Sequence, residues 1–443
     1  MEKTAARRAA DRVVTRLVSH GHQAYLVGGC VRDLLLGREP KDYDVATDAP
    51  PGRILELFSS AGQVGAHFGV VLVREDGEQI EVATFRSDHA YDDGRRPRAV
   101  AFETDPRQDV LRRDFTINAL LLDPGTGEIL DFVGGRDDLS RGLIRAIGDP
   151  QTRFGEDHLR LLRAIRFAAR LGFRIDGETM EAVKLLHARI LIVSAERIRD
   201  ELVRILTEGG ARRGFELLDE SGLLADILPE VAAMKGVAQP PQFHPEGDVW
   251  IHTRLMLEAM RNPTGTLALG VLLHDVGKPP TFSVSDRIRF NSHAAVGAKM
   301  AVAILSRLRF SNADIAQVEA LVAHHLRFKE VKNMRESKLK RFLRMDRFEE
   351  HLELHRLDCE SSHRQLGNYE FVKARLREIP AEQLRPPRLL TGDDLIRAGY
   401  KPGPLFQAIL RAAEDSQLES RVRTREEAMA LIRDLFPLTP AGK

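Results

Sequence analysis

The stretch that decides the fold is residues 25–47, YLVGGCVRDLLLGREPKDYDVAT. Residues 24–27 at its start are typical of a buried strand, and residues 31–36 are typical of a short helix. Between them stands Gly28-Gly29, and a glycine pair at such a point allows backbone N–H groups to converge on an anion. The turn therefore predicts a binding site for a triphosphate.

Charged side chains follow this turn closely. Arg32 lies in the first turn of the predicted helix, within reach of the same phosphates. Asp42 and Asp44 stand two residues apart on a predicted strand, so that both carboxylates point to one side. Paired carboxylates beside a phosphate site are typical Mg²⁺ ligands, and metal ions there can activate an attacking hydroxyl and stabilise a leaving pyrophosphate. The stretch predicts a magnesium-dependent nucleotide site.

The strings GGCVRDLLLG and KDYDVAT resemble the signature of the nucleotidyltransferase superfamily, in the branch of class II tRNA nucleotidyltransferases and bacterial poly(A) polymerases. The resemblance covers nearly the whole chain. It implies an α+β fold, with a polymerase-β-like head of mixed sheet and helices before a mostly helical neck, body and tail. We expect a nucleotidyltransferase head at 1–145, a neck and body with a base-recognition helix at 146–235, an HD domain at 236–375 and a helical tail at 376–443.

Composition is that of an ordinary soluble protein, with 43% hydrophobic residues, 30% charged residues and a net charge of +1. An RNA partner would therefore be held by local basic patches. Cys30 and Cys359 lie too far apart in sequence to suggest a disulfide framework or a metal-ligand spacing. The first 22 residues lack the apolar core of a signal peptide, and no run of 18 apolar residues is present. We expect a cytoplasmic protein with no membrane attachment.

Later parts of the head supply further candidates. Residues 69–73 and 79–83 predict a hairpin around an Asp-Gly turn, with Glu81 on its second strand. A third carboxylate on a neighbouring strand commonly completes a metal site, and Glu81 resembles the family's third catalytic acid; a Glu that faces solvent is the alternative. Residues 86–110 are polar and predict a long loop, which the resemblance links to addition of the final A.

The string RRDFTINA lies in residues 111–122, whose apolar spacing is typical of a helix. It resembles the second motif of the same family, in which the second arginine contacts the nucleotide. This implies a nucleotide-binding role for Arg113, and an ordinary salt bridge is the alternative. Residues 131–148 resemble the connection between head and neck, where we expect a structural role.

Residues 154–172 predict a helix that ends at a glycine. Helical spacing places Asp157, Arg160 and Arg163 on one face and Arg166 further round; ordinary i, i+3 ion pairing is the alternative. The string EDHLRLLRAIRF resembles the base-reading motif of tRNA nucleotidyltransferases. A carboxylate accepts from the exocyclic amine of cytosine or adenine while a guanidinium donates to the adjacent ring acceptor, whereas uracil and guanine reverse this pattern. Asp157 and Arg160 are therefore expected to select the base.

Nine of the 15 histidines fall between His244 and His363. The region resembles the HD phosphohydrolase superfamily, and imidazole with carboxylate ligands suits Mn, Ni, Fe or Mg. An HD domain without activity, kept to hold RNA, is the alternative. The resemblance implies metal ligands at His252, His274, Asp275 and Asp358, with His293 and either His324 or His325 for a second metal.

Together the motifs imply a template-independent tRNA nucleotidyltransferase that adds or repairs the 3′-terminal CCA. Its partners would be the tRNA acceptor end, CTP and ATP, and pyrophosphate would be released. Gly29, Arg32 and Arg113 are expected to hold the triphosphate, with Asp42 and Asp44 on Mg²⁺.

Five alternatives remain open. An A-adding or a CC-adding enzyme shares all these motifs. A poly(A) polymerase fits less well, because the resembled polymerases carry a basic pair where this chain has VGAHFGVVLV. A hydrolase that uses the HD region and a non-catalytic RNA-binding module complete the set.

Overall fold

The computed structural model describes residues 3–63, 69–91, 97–242 and 244–438. The chain divides into two compact units, one of residues 1–232 with 307–310 and the other of residues 233–306 with 311–443. The predicted head, neck and body fall in the first unit up to residue 232, and the predicted HD domain and tail fall in the second except for residues 307–310. The finer division into four parts remains a prediction.

The described part of the first unit combines a sheet with many helices. Its strands are β1 (Ala24–Val27), β2 (Asp44–Thr47), β3 (Gly62–Gln63), β4 (Val70–Glu75), β5 (Glu78–Thr84), β6 (Arg86–Tyr91), β7 (Pro97–Phe102), β8 (Leu121–Leu122), β9 (Ile129–Leu130), β10 (Leu143–Ile144) and β11 (Arg174–Ile175). Its helices are α1 (Ala5–Ser19), α2 (Gly29–Leu35), α3 (Pro51–Leu57), α4 (Pro106–Leu111), α5 (Gly135–Ser140), α6 (Pro150–Glu156), α7 (Arg160–Leu171), α8 (Gly177–Leu186), α9 (Ala195–Thr207), α10 (Ala211–Glu220), α11 (Leu223–Ile227) and α12 (Pro229–Ala232), with 3₁₀ helices at Thr116–Asn118 and His187–Ile192.

A mixed sheet forms the centre of the head, in the order β3-β4-β5-β2-β1-β8-β9. Strand β2 runs antiparallel to β1 and parallel to β5, so the carboxyl-rich start of β2 lies beside the middle of β5. Helix α1 packs on this sheet through apolar residues spaced three and four apart, which are all buried: Ala9, Ala10, Val13, Val14 and Leu17. The expected α+β class with a mixed-sheet head is confirmed.

The predicted hairpin is present as β4 and β5. Its two central turn residues, Asp76 and Gly77, have φ angles of 50° and 82°, which is the left-handed pair that a type I′ hairpin turn requires. The turn fixes the register, in which Leu72 pairs with Glu81 and Glu81 in turn pairs with Asp44 on the other side. The local Asp-Gly turn thus sets where the third acid stands.

The second unit is almost entirely helical over its described residues. Its helices are α13 (Val249–Ala259), α14 (Gly265–Leu273), α15 (Lys278–Thr281), α16 (His293–Arg307), α17 (Asn312–His324), α18 (Glu336–Leu343), α19 (Phe348–Glu360), α20 (Gly367–Glu378), α21 (Ala381–Leu384), α22 (Gly392–Arg397), α23 (Pro404–Leu418) and α24 (Arg425–Leu435), with a 3₁₀ helix at His325–Asn333 and a hairpin of β12 (Phe282–Val284) and β13 (Ile288–Phe290). None of the described helices combines the length and apolarity needed to cross a membrane.

Two expectations about local structure in the head are wrong. Residues 111–122 do not form a helix, because the buried Asp114 carboxylate accepts from the Phe115 backbone N–H at 2.8 Å and from Asn118 Nδ2 at 3.2 Å. Such local bonds compete with helical ones, and the segment forms the 3₁₀ turn and β8 instead. The expected long loop at 86–110 contains strands β6 and β7 and helix α4 in its described residues.

The segment VGAHFGVVLV, which argued against a poly(A) polymerase, lies partly outside the described residues, since these resume at Gly69.

The helix expected over 154–172 is two helices, α6 and α7, separated at Asp157. Asp157 has φ −145° and ψ 104°, and its carboxylate accepts from the Leu159 backbone N–H at 3.0 Å. This side-chain bond stops α6 and starts α7. The helical rotation of about 100° per residue therefore describes the positions of Arg160, Arg163 and Arg166, which lie on α7. It does not describe the position of Asp157, which precedes this helix. The helix does end at Gly172, which has a φ angle of 72°.

Candidate functional site

A cavity of about 460 Å³ lies in the first unit and gathers most of the predicted nucleotide-binding residues. Its lining is strongly polar and rich in arginine. The lining residues are Gly28, Gly29, Arg32, Asp44, Arg112, Arg113, Asp114, Asn118, Asp157, Leu159, Arg160, Arg163, Arg166, Phe167, Arg170 and Arg197. The cavity is therefore bordered by the β1–α2 turn, the start of β2, the segment after α4, helix α7 and the start of α9.

The glycine turn forms one wall of this cavity. Strand β1 ends at Val27, and Gly28 has φ 78° and ψ −131° before α2 begins at Gly29. A Cβ atom at Gly28 would lie 3.4 Å from Arg113 Nη1, so the Arg113 guanidinium lies directly against this backbone. The turn needs glycine for its positive φ, which other residues rarely adopt. The sequence placed Arg113 and the glycine turn in one site, and the structure brings them into contact.

Two of the three predicted acids lie opposite each other on neighbouring strands, whereas the expectation that Asp42 shares the strand of Asp44 is wrong, because β2 begins only at Asp44. Asp44 is the first residue of β2 and pairs with Glu81 across the parallel ladder, and Asp42 precedes the strand by two residues and is exposed. Burial and the negative charges of Glu81 and Asp42 raise the pKa of Asp44, while Arg113 opposes them, and the net result is a pKa of about 6. A divalent cation bound there would relieve this repulsion among the carboxylates. Their oxygens are the hard donors that Mg²⁺ prefers, so the chemistry of these acids fits Mg²⁺.

Arg32 is buried rather than extended into the cavity. Its Nε and Nη1 donate to Asp33 at 2.8 Å and to Asn118 at 2.7 Å, and it is 2% exposed. Burial lowers the pKa of Arg32, and the adjacent Asp33 charge opposes that effect. Arg32 thus borders the cavity, and Asp33 and Asn118 hold its guanidinium in one orientation.

Asp114 links the head motif to helix α7. Arg163 Nε donates to Asp114 Oδ2 at 2.7 Å, and the same carboxylate binds the Asn118 side chain. Burial by itself would raise the pKa of Asp114, but the Arg163 charge and these hydrogen bonds hold it at about 2. A polar chain thus runs from Arg32 through Asn118 and Asp114 to Arg163, and sequence reasoning assigned no role to Asp114.

The expected base-reading pair is present, and both members already have protein partners. Asp157 Oδ2 accepts from Arg197 Nη2 at 2.7 Å. Arg160 Nη1 donates to the Arg153 carbonyl at 2.9 Å and to Glu156, and its Nη2 donates to the Arg112 carbonyl at 2.9 Å. Asp157 and Arg160 border the same cavity although they do not share a helix face.

Arg166 lies on the buried side of α7. Its Nε donates to Glu201 at 2.7 Å, its Nη1 lies 3.3 Å from Glu208, and its guanidinium stacks on Phe167 at 4.3 Å from the ring centroid. With 4% exposure, Arg166 ties α7 to α9 and lines the cavity at its base. Its position suits the supporting role expected from the sequence.

Histidines and acids of the second unit converge in two groups that share Asp275. Within each group the candidate ligand atoms lie within 4.8 Å of one another; the groups are His252, His274 and Asp275, and Asp275, His293 and His325. Asp358 joins the first group, because its Oδ1 lies 3.2 Å from His252 Nε2. Between His324 and His325, His325 is the one in the cluster, whereas the His324 ring lies beside that of His351, with ring centroids 6.5 Å apart. In the described part of the chain, all groups of this kind lie in the histidine region, and the three head acids do not form one.

Backbone hydrogen bonds fix the tautomers of three of these imidazoles. His274, His293 and His325 each point Nδ1 at a backbone carbonyl three residues earlier, at 2.9, 2.9 and 2.7 Å. Since a carbonyl only accepts, each Nδ1 carries a proton, so that in the neutral ring the lone pair lies on Nε2. Such bonds from the outer ring nitrogen are typical of metal-binding histidines.

The inner atoms of this cluster face one another as acceptors. His293 Nε2 and His325 Nε2 lie 3.3 Å apart, and His274 Nε2 lies 3.1 Å from Asp275 Oδ2 with no hydrogen-bond partner of its own. Burial lowers the pKa of His325 to about 3, so a proton does not fill this gap at neutral pH. A metal ion between these atoms would turn the unfavourable contacts into coordination bonds, and the donor set therefore fits a divalent transition metal.

Glycine at 277 allows this cluster to close. A Cβ atom there would lie 2.2 Å from the His293 carbonyl oxygen, so α16 packs directly on the backbone that follows Asp275. Two residues that the sequence did not single out extend the cluster: Glu246 Oε1 lies 2.9 Å from His244 Nδ1 and 2.8 Å from His252 Nδ1. Both residues lie in the segment HPEG, residues 244–247, directly before the N-cap Asp248 of α13. This segment is the only signal in the sequence that points to them.

Comparison with protein families agrees with this division of sites. Residues 24–145 match the poly A polymerase head domain, residues 172–235 match the probable RNA and SrmB-binding site of polymerase A, and residues 248–358 match the HD domain. Family models thus match most of the predicted head and most of the predicted HD domain.

Curated relatives carry one activity in their names. The CCA-adding enzyme of Bacillus pumilus is 45% identical over 215 residues, which is 48% of this chain and 54% of that protein. The CCA-adding enzyme of Lactobacillus johnsonii is 39% identical over 254 residues, 56% of this chain and 64% of that protein. The chain thus spans about half to two thirds of the length of the curated relatives that it matches.

Solved structures match over the whole chain. The Bacillus stearothermophilus CCA-adding enzyme in complex with CTP has a TM-score of 0.75 and 27% identity, with 98% of each chain covered. The Thermotoga maritima CCA-adding enzyme complexed with tRNA_CCA, at a TM-score of 0.58 and 19% identity over 98% of this chain and 96% of that one, shares the fold.

Proposed function

We propose that this protein is a CCA-adding tRNA nucleotidyltransferase, which uses CTP and ATP to build or repair the 3′ end of tRNA in the cytoplasm. The observation that carries the proposal is the single cavity in which the glycine turn, Asp44, Arg113, Asp157 and Arg160 meet. One end of that cavity offers donors and acids suited to a triphosphate, and the other offers a carboxylate and guanidinium suited to a base. The matched CCA-adding enzymes, one solved with CTP and one with tRNA, support the substrates.

At the phosphate end, the turn at Gly28 and the Arg113 guanidinium hold the triphosphate. Asp109 directs that guanidinium, since it accepts from Arg113 Nη2 at 2.8 Å and is fully buried. Arg32 adds positive charge from behind the turn. Positioning and charge neutralisation of this kind supply much of the catalysis in phosphoryl transfer.

Asp42, Asp44 and Glu81 would hold Mg²⁺. When bound there, Mg²⁺ supplies charge neutralisation for the triphosphate and lowers the pKa of the attacking hydroxyl. The RNA 3′-hydroxyl attacks the α-phosphate, pyrophosphate leaves, and one nucleotide is added. Asp44 is suited to this task because a neighbouring cation would stabilise the charge of its buried carboxylate.

At the base end, Asp157 accepts from the exocyclic amine of cytosine or adenine, and Arg160 donates to the adjacent ring acceptor. Arg163 and Arg166 keep α7 in place through Asp114 and Glu201. Selection by protein side chains explains how C and A are chosen without a template.

Incorporation assays test the proposal. A tRNA transcript that ends at the discriminator base is incubated with CTP and ATP, separately and together. A CCA-adding enzyme should add CC when only CTP is supplied and the full CCA when CTP and ATP are supplied together. No addition to this tRNA, together with addition of A to a tRNA that ends in CC, would indicate an A-adding enzyme. CC as the final product would indicate a CC-adding enzyme. Long A tracts would indicate a poly(A) polymerase. The Asp42→Ala variant should fold and incorporate nothing.

A second activity, phosphohydrolysis by the HD domain, is favoured by the facing acceptor atoms around Asp275. One metal ion would be held by His252, His274, Asp275 and Asp358. A second would be held by Asp275, His293 and His325. The test loads the full chain with Mn²⁺ or Ni²⁺ and measures hydrolysis of 2′,3′-cyclic nucleotides. Bound metal without hydrolysis would assign the domain a scaffolding role.

A further inference from the structure

We propose that a cavity in the second unit binds a phosphate monoester that carries a flat, weakly polar group, as a nucleoside 5′-monophosphate does. The cavity has a volume of about 790 Å³ and is bordered by α18, residues 388–390 and α23. It shares no residue with the nucleotide cavity of the head or with the histidine cluster. The inference therefore goes beyond the proposed function, which uses none of these residues.

Arginine side chains form the charged wall of this cavity. Arg341 and Arg344 share the Glu414 carboxylate, since Arg341 Nη2 donates to Glu414 Oε2 at 2.9 Å and Arg344 Nη2 donates to Glu414 Oε1. Arg341 also pairs with Asp415. These ion pairs hold two guanidinium groups in place before a ligand arrives, which lowers the entropic cost of binding.

Two further arginines give the wall an excess of positive charge. Arg388 and Arg411 border the cavity, and neither has an ion-pair partner among the residues that the structure describes. Four guanidinium groups therefore stand against the two carboxylates of Glu414 and Asp415, which leaves two positive charges without a partner. A phosphate monoester carries a charge of about −1.5 to −2 at pH 7, which matches this excess. Guanidinium groups also suit the geometry of phosphate oxygens.

Much of the remaining lining is apolar. Small-molecule sites commonly combine such a surface with a few polar groups that fix the orientation of the ligand. A free inorganic ion would make no use of the apolar part, whereas a nucleobase would bury one of its faces there. The apolar lining residues are Leu389, Leu390, Pro404, Ala408, Leu410 and Ala413.

Hydrogen bonds from side chains to the backbone hold the segment that closes one side of the cavity. Gln417 Nε2 on α23 donates to the Pro387 carbonyl at 2.7 Å, and Arg385 Nη2 donates to the Arg344 carbonyl at 2.8 Å. These bonds attach the segment to α23 and to the residue that follows α18. The cavity is therefore formed without a ligand, and binding would not have to order the segment.

Calorimetric titration of the full chain with AMP, CMP, inorganic phosphate and adenosine tests the site. AMP and CMP should bind at least about 10-fold more tightly than phosphate or adenosine, because each of the latter offers only one half of the ligand. Added salt should weaken the binding, since it screens exposed arginines. No binding of AMP, or equal affinity for AMP and inorganic phosphate, would overturn the proposal.

Arg388→Gln and Arg411→Gln should each weaken AMP binding about 10-fold, through loss of one charge-assisted hydrogen bond. Both side chains are exposed, so these variants should fold. Arg433→Gln is the matched control, because Arg433 is an exposed arginine on α24 that does not line the cavity. Unchanged affinity in both lining variants, or an equal loss in the control, would overturn the proposal.

Failure of this inference and failure of the proposed function are distinguishable. The titration requires no nucleotide incorporation, so it tests the cavity even if the nucleotidyltransferase proposal fails. CTP incorporation, where present, should be unchanged in all three variants. An AMP with a photoreactive azide on its base locates the bound nucleotide: crosslinks in peptides from residues 388–417 support the proposal, and crosslinks confined to the head would overturn it.

The same chemistry is found in a free nucleotide and in the 5′-terminal nucleotide of an RNA. Binding of a tRNA with a 5′-phosphate is therefore compared with binding of the same tRNA with a 5′-hydroxyl. Tighter binding of the phosphorylated tRNA that is lost in Arg388→Gln would identify the RNA terminus as the ligand. Equal binding of the two tRNAs, with AMP bound, would identify the free nucleotide. Equal weakening of both tRNAs in Arg388→Gln, without AMP binding, would indicate contact with the RNA backbone and overturn the proposal.

Discussion

Replacing Asp44 by asparagine should stabilise the metal-free protein while abolishing nucleotide addition. Burial and the neighbouring Glu81 raise the pKa of Asp44 from an ordinary 3.8 to about 6. A rise of this size means that the ionised carboxylate costs the folded state about 3 kcal/mol. The full cost applies above pH 6, falls as the carboxylate takes up its proton between pH 6 and pH 4, and vanishes below the unfolded-state value. The Asp44→Asn side chain has no charge and avoids this cost.

Calorimetric melting in EDTA at pH 7.5 and pH 4 measures the effect. For a unit of this size, 3 kcal/mol corresponds to a rise of about 6–12 °C at pH 7.5, with little difference at pH 4. Mg²⁺ should raise the melting temperature of the wild type and leave the variant unchanged. Asp76→Asn is the matched control, because asparagine suits the same hairpin turn and Asp76, which pairs with Arg12 at the surface, does not line the cavity. An Asp44→Asn protein that melts at or below the wild-type temperature at pH 7.5 would refute the reasoning.

Three further perturbations follow from the geometry. Gly28→Ala should raise KM for CTP several-fold and cost about 1–2 kcal/mol in urea unfolding, because alanine disfavours a φ of 78° and a shift of this backbone would displace the surface against which the Arg113 guanidinium lies; an unchanged KM would argue against Arg113 as a phosphate ligand. Asp109→Ala should destabilise the first unit by about 3–5 kcal/mol, since it leaves two arginines without their buried partner, and unfolding curves that overlay the wild type would contradict this. His274→Ala should lower the bound transition metal measured by mass spectrometry and leave CTP incorporation intact, whereas loss of incorporation would couple the two sites.

Local sequence patterns predicted the parts of the head that local physics decides. The Asp-Gly turn fixed the β4–β5 hairpin, and the register that follows brings Glu81 beside Asp44. The glycine turn before α2 was predictable for the same reason, since few other residues adopt its backbone angles. In each case, two or three neighbouring residues determine the local backbone conformation.

Buried polar side chains account for what the sequence pattern missed. The apolar spacing of residues 111–122 and 154–172 favoured continuous helices, but Asp114 and Asp157 each bond to a nearby backbone N–H and interrupt them. Whether such a carboxylate faces solvent or its own backbone depends on distant partners, here Arg163 and Arg197. A spacing rule contains no information about those partners, so neither break could be predicted.

The same distant partners explain why the overall charge of +1 gave no sign of a nucleotide site. Eight arginines line the cavity, and every one of them forms an ion pair with a protein carboxylate. These pairs fix the guanidinium groups in place before a ligand arrives, which reduces the side-chain entropy that binding would otherwise cost. Each guanidinium has five donors, more than its carboxylate uses, so a triphosphate can bind the remaining N–H groups without breaking the network. A site for a highly charged ligand can therefore be built from balanced charges, provided that the arginines keep unused donors directed into the cavity.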